Sequence, residues 1–113
     1  DALPIYSAQK YPQMCWAALM AGGSCAAIPV KDEALLRSLA TMTPVRQGDA
    51  YLLQGSDGWL VYNADGQANV QLVGQGRYEV WEVDSQTGAL QRLKDVSGTF
   101  VIQEKGIFWV HRR

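Results

Sequence analysis

The chain predicts a mainly β fold: an antiparallel β-sandwich of about seven short strands preceded by two N-terminal helices. Three observations carry this expectation. From Ala50 onward, short runs rich in β-branched and aromatic residues recur: AYLLQ, WLVYN, ANVQLV, RYEVWEV, ALQRL, TFVIQ and IFWVH. Between them stand GSDG, ADGQ, GQG, DSQTG, KDVSG and EKG, all Gly, Asp or Ser turn signals. The first 45 or so residues show helix start and stop signals instead. The expected organisation is a helical segment over residues 1–45 and a β-sandwich over residues 46–113.

In chain order, Pro12 sits where a first-turn proline is tolerated. QMCWAALMA follows and is apolar on nearly every side, and Gly22-Gly23 stops it. A helix apolar all round belongs in a buried place. Tyr11 to Ala21 is therefore expected to be an interface element, covered by the sandwich, by a second copy or by a neighbouring domain. Asp32 is the expected N-cap of a second helix in KDEALLRSLATM. Leu35, Leu36, Leu39 and Met42 give that helix an apolar face, and TPVRQGD breaks its pattern. Among the strands, NVQLV alternates cleanly, with Val70 and Leu72 on one face and Asn69 and Gln71 on the other.

Composition excludes several classes of partner. At 113 residues, 48% of them apolar and 19% charged, the chain has the make-up of one globular domain. The net charge of -1, with no basic block, argues against nucleic acid and against anionic membranes. No apolar run is long enough to span a bilayer. The opening DALPIYSAQ reads either as a mature terminus or as a cut in a longer protein.

The stretch CWAALMAGGSC, from Cys15 to Cys25, raises two chemical readings. Cys15-Trp16 at a helix start resembles the nucleophile region of papain-like enzymes. That chemistry needs an imidazole to take the thiol proton and a third group to orient it. His111 is the one histidine, and it stands two residues from the end, so its orienting group would have to come from upstream. Gln9 is a better-placed oxyanion glutamine than Gln13. The competing expectation is that Cys15 is a small buried hydrophobe, as free cysteines commonly are. The second reading is a disulfide. It would contribute about 2 to 3 kcal/mol for a loop of that size. A helix running straight to Ala21 would instead carry Cys25 away from Cys15.

Other sites are weaker. One histidine and two thiols do not make a zinc set, and YNADGQANV lacks the bidentate glutamate of a calcium loop. No metal and no cofactor is expected. Glycoside hydrolysis needs two carboxylates across a cleft. Most acids here stand in turns, and Glu79 and Glu82 fall on opposite faces of one strand. No catalytic set is expected within these residues. The aromatics remain, and most should fill the core. Trp81 and Tyr62 are the candidates for stacking on sugar rings.

Three stretches, DAYLLQGSDGWLVYNADGQANVQL, GRYEVWEVDSQTGALQRL and GTFVIQEKGIFWVHRR, resemble a known family. It is the collagen-binding-type C-terminal β-sandwich domain of bacterial glycoside hydrolases with a (β/α)8 barrel. The resemblance rests on Leu60 to Asn63, on Val80 to Gly88, and on Trp109 with Val110. Ser85 departs from the family proline after Asp84. Gln103 and Phe108 stand near the places of the usual proline and aspartate before the last Trp-Val. QMCWAALMAGGSCAAIPVKDEALLRSLATMTPV is similar to the end of the barrel in those enzymes.

The resemblance implies a non-catalytic module of a secreted or periplasmic carbohydrate-active enzyme, bracing the barrel and in contact with polysaccharide. Its partner would be the catalytic barrel of a larger chain or a second copy of itself. The catalytic carboxylates of the family would lie on earlier barrel strands, so no residue here inherits that role. The alternatives are a cysteine hydrolase using Cys15 and His111, and a standalone exported binding or inhibitor protein.

Overall fold

The structure is a computed structural model of the 113-residue chain. It describes Trp16, residues 30–47, residues 50–63, Gly66 and residues 69–113. The expected helix at Tyr11 to Ala21 lies outside the described residues except for Trp16, as do Cys15 and Cys25. The elements are α1 (Glu33–Ala40), β1 (Thr43–Gln47), β2 (Ala50–Gln54), β3 (Gly58–Asn63), β4 (Val70–Val83), β5 (Leu90–Ile102) and β6 (Gly106–Arg112). No described helix is long and apolar enough to cross a membrane.

α1 starts where the sequence says it should. Asp32 has extended backbone, and its Oδ1 accepts the Leu35 N–H at 3.0 Å. Such a cap stabilises a helix by about 1 kcal/mol. Glu33 in the first turn and Arg37 in the last suit the helix dipole. Leu35 is fully buried and Leu39 and Met42 are partly so, but Leu36 turns outward with 42% of its surface exposed. One residue is 100° of helix rotation, so Leu36 cannot share the face that Leu35 and Leu39 define.

The strands form one six-stranded sheet in the order β1-β2-β3-β6-β4-β5, with every neighbouring pair antiparallel. This corrects the expected sandwich of seven short strands. ANVQLV and RYEVWEV belong to one strand, and so do ALQRL and TFVIQ. The GQG read as a connection is a bulge inside β4. Val73 pairs with Thr99 and Arg77 with Ser97, so β4 carries two extra residues there. Across from them, Gly98 has φ +66°, a conformation open to glycine. TPVRQ, read as a break, is β1.

The bulge folds the sheet over itself. Trp59 on β3 and Phe100 on β5 have ring centroids 6.1 Å apart, although β6 and β4 lie between their strands. In a flat sheet three strand spacings would separate them by about 14 Å. Tyr78 fills the angle, 5.2 Å from Trp59 and 6.3 Å from Phe100. Leu52, Val61, Val70, Leu72, Val80, Ile102, Phe108 and Val110 complete this inner cluster. The opposite face buries Leu53, Leu60, Val83, Ile107 and Trp109 beneath Trp16, Val30 and Leu35. β6 is thus buried on both faces, which is why IFWV is continuously apolar instead of alternating.

Gly58 lets β6 approach. A Cβ there would lie 1.9 Å from the Val110 carbonyl oxygen. Gly58→Ala should therefore lower stability by more than about 2 kcal/mol in urea unfolding. An unchanged midpoint would contradict the β3–β6 register.

Candidate functional site

Two places gather polar and aromatic side chains on the face that carries α1. The first centres on Glu79. In register, Glu79 lies opposite His111 on β6 and Asp95 on β5, and Trp81 lies opposite Trp109 and Arg92. Glu79 Oε1 accepts the Trp81 Nε1–H at 3.2 Å and stands 3.4 Å from His111 Nε2. Its Oε2 is 3.6 Å from Arg92 and 3.7 Å from Arg113. Both arginines also reach Asp95. The hydrogen bond from Arg92 holds the Asp95 carboxyl below the usual carboxylate range. The His111 ring stacks on Trp109, 4.0 Å between centroids and 19° between planes.

This arrangement is saturated. A carboxylate has about four acceptor sites, and four donors or cations face those of Glu79. Trp81 is half-buried against the cluster beneath α1, and Tyr78 and Val80 face the other way into the inner core, as the alternation predicts. Trp109 donates its Nε1–H to Ser38 Oγ at 3.4 Å, and Ser38 donates to Asp57 Oδ1 at 2.9 Å. That chain of two hydrogen bonds ties α1 to the sheet through a buried serine.

The second place is a cavity of about 540 Å³ at the end of the sheet, beside the turn from Asp84 to Ala89 and the turn at Lys105. Tyr62 forms one wall, Val83, Leu90 and Ile107 supply apolar lining, and Glu82 and Lys105 stand at its edge. Burial first, and the neighbouring Tyr51 second, raise the Tyr62 phenol above its ordinary value. Tyr51 and Tyr62 are register partners with ring centroids 6.2 Å apart. The turn itself is held by Asp84. Its Oδ1 accepts the N–H groups of Gln86 at 2.8 Å and Thr87 at 2.9 Å. Those donors, Thr87 first, hold the Asp84 carboxyl below the usual carboxylate range.

Trp81 and His111 are therefore brought together around Glu79, while Tyr62 stands apart beside the cavity. Cys15 lies outside the described residues, so no Cys15–His111 geometry is defined. Sequence reasoning missed the ion-pair cluster, the Trp109–His111 stack and Tyr51. The signal for Tyr51 was present, since a tyrosine at the start of AYLLQ faces the tyrosine near the end of WLVYN once a hairpin closes.

Three comparisons bear on the chain. Residues 2–42 match a family described as a domain of unknown function (DUF6298). That segment takes in Trp16 and all of α1 and is less than half of the chain. No curated protein matches. A solved structure described as "Glycoside hydrolase" is similar at 16% identity and a TM-score of 0.47, over 65% of this chain and 20% of that one. The chain thus spans about a fifth of that protein's length, and a likeness of this size says nothing of activity.

Two outcomes are expected. Glu79→Gln should lower the melting temperature at low ionic strength, and added salt should narrow the deficit because the lost attraction is screened. A deficit independent of salt would show that shape and not charge holds the cluster. For Asp84 the folded pKa lies below the unfolded one, so its stabilisation is present above the ordinary carboxylate pKa. It is lost as pH falls through the folded value. Asp84→Ala should melt below wild type at pH 7, with the gap closing below about pH 4. A constant gap down to pH 2 would contradict the assigned role.

Proposed function

We propose that the chain is a non-catalytic β module of a secreted bacterial carbohydrate-active enzyme of the glycoside hydrolase type. It braces the helical segment before it and offers a surface to polysaccharide. Its partner is the catalytic barrel of a larger chain, or a second copy of itself. The observation that carries this reading is Trp16. Its side chain is wholly buried, and its Nε1–H donates to the Ser85 carbonyl at 3.1 Å, 69 residues along the chain. A brace needs such a joint, with a large side chain of the supported segment desolvated in the supporting sheet.

The acids support a non-catalytic role. A glycosidase needs one carboxylic acid whose pKa is raised, paired across a cleft with a second carboxylate. Asp84, Asp95 and Glu104 are all shifted the other way, by N–H donors or by arginine. Glu79 is already engaged by Arg92, Arg113 and the Trp81 N–H. The rival cysteine-hydrolase reading has an orienting carboxylate in Glu79, 3.4 Å from His111 Nε2, but Cys15 lies outside the described residues, so no observation brings a thiol to that imidazole. The resemblance of Leu60 to Asn63 and Val80 to Gly88 to the sandwich modules of barrel glycosidases supplies the enzyme class.

The test has two arms. Trp16→Ala should destabilise the chain by about 3 to 5 kcal/mol, the cost of emptying a fully buried tryptophan site. The wild-type chain should release no reducing sugar from a panel of plant and microbial polysaccharides. A variant that melts like the wild type would remove the joint. Sustained hydrolysis would place catalysis within these residues.

A further inference from the structure

A line of side chains crosses the sheet and runs into the cavity. Tyr51 lies opposite Tyr62, Tyr62 opposite Ile107, Ile107 opposite Val83, and Val83 opposite Leu90. Five strands thus contribute one residue each to a single row. At the usual strand spacing the row is about 19 Å from end to end. Its first two members are tyrosines 31° from coplanar, and all but Tyr51 line the cavity. Tyr51 is 42% exposed, so one ring of the pair is open to solvent.

The edge of the cavity adds hydrogen-bonding groups without commitments. Glu82, Gln91 and Lys105 all line it. None of their side chains forms a hydrogen bond or ion pair among the described residues. Gly106 leaves room beside Glu82, since a Cβ on it would sit 3.5 Å from Glu82 Oε2. Glu82 and Tyr62 line the same cavity although they point to opposite faces of the sheet. With Asp84, which also lines the cavity, the acids exceed Lys105 by one charge, so the lining disfavours an anion. Asp84 is already used by its own turn.

A ligand for this place must offer flat apolar faces to two phenol rings. It must also carry several groups that both donate and accept hydrogen bonds, and it needs no net charge. A phosphate would meet Glu82 with only one lysine to hold it. A purely apolar guest would leave Glu82 and Lys105 desolvated and unpaired, which is costly. A neutral sugar chain meets all three demands, because pyranose rings have apolar C–H faces and an equator of hydroxyls. The cavity volume of about 540 Å³ falls within the roughly 300–1,000 Å³ of small-ligand sites.

We propose that the Tyr51–Tyr62 strip and the adjoining cavity bind a neutral oligosaccharide lying across the strands. Tyr51 and Tyr62 stack on its rings, and Glu82, Gln91 and Lys105 take its hydroxyls. The proposal rests on the module reading above and gives its polysaccharide contact a location. It also moves that contact away from Trp81. The indole N–H of Trp81 is held by Glu79, and Glu79 is surrounded by Arg92, Arg113 and His111.

Calorimetric titration of the whole chain with neutral hexaoses of glucose, xylose, mannose and galactose tests it. At least one should bind. Tyr51→Ala and Glu82→Gln should each weaken that binding about tenfold, which corresponds to about 1.4 kcal/mol. Trp81→Ala should leave it unchanged. Thermal melts of each variant, with Tyr62→Phe as a milder probe of the half-buried ring, confirm that the fold persists. Three results would each overturn the proposal. One is no heat from any neutral chain. Another is tighter binding of an acidic chain such as oligogalacturonate. The third is binding lost in Trp81→Ala but kept in Tyr51→Ala and Glu82→Gln. Failure here with the Trp16 joint intact leaves the bracing role standing, since melting of Trp16→Ala reads that role independently.

Discussion

The sheet depends on β6 reaching the gap between β3 and β4. Those two strands have no pairing with each other, and β6 is hydrogen-bonded to both. Its residues also supply both cores. Phe108 and Val110 enter the cluster enclosed by the folded sheet, and Ile107 and Trp109 enter the one beneath α1. A three-stranded meander, β1 to β3, and a hairpin, β4 and β5, therefore become one sheet only when the last strand is in place. This is costly in chain entropy, because the paired residues are far apart along the chain. The return is a central strand with no side chain wasted on solvent between Ile107 and Val110.

The two faces then solve the burial problem differently. The inner face closes on itself, because the bulge at Gly74 to Gly76 lets the outer part of the β4–β5 ribbon fold back until Phe100 meets Trp59. The other face cannot close this way and needs a separate cover. Leu35 and Trp16 provide it, and the Trp109–Ser38–Asp57 hydrogen bonds give that cover a fixed position. A purely apolar cover could slide over a smooth face. A buried serine with one donor and one acceptor partner on the sheet side cannot, since any shift would leave a buried polar group unpaired.

Much of this fold was legible in the sequence, and the errors have a common cause. The β class, the Asp32 cap, the strands AYLLQ, WLVYN and IFWVH and the alternation around Trp81 all come from local pattern. Local pattern misjudged GQG and KDVSG, because glycine marks a bulge as readily as a turn. Whether a strand stops or merely bends there is decided by its neighbour. The partnership of Glu79 with His111 was illegible for a similar reason. It depends on β6 lying beside β4, and no spacing in the chain records that order. Tyr62 was found as a candidate because it alternates with residues expected in the core. Its cavity was not, since Val83, Leu90 and Lys105 converge only through three separate pairings.

Glu79 and Glu82 show how position on one strand divides scaffold from surface. They are three residues apart, and the pleat sends them to opposite faces. Glu79 falls where β5 and the chain end present Arg92 and Arg113 and β6 presents the His111 ring, and the side chain is only 17% exposed. Each donor that approaches it offsets the cost of removing the charge from water. The result holds Trp81 and His111 in place and leaves the carboxylate nothing to offer a ligand. Glu82 falls beside Gly106, where no cation is paired with it among the described residues and the neighbouring side chain is absent. Its acceptor sites are not taken by any side chain among the described residues. A strand with two glutamates thus places one in the framework and leaves the other at the mouth of a cavity, with the same chemistry in both and only the register to tell them apart.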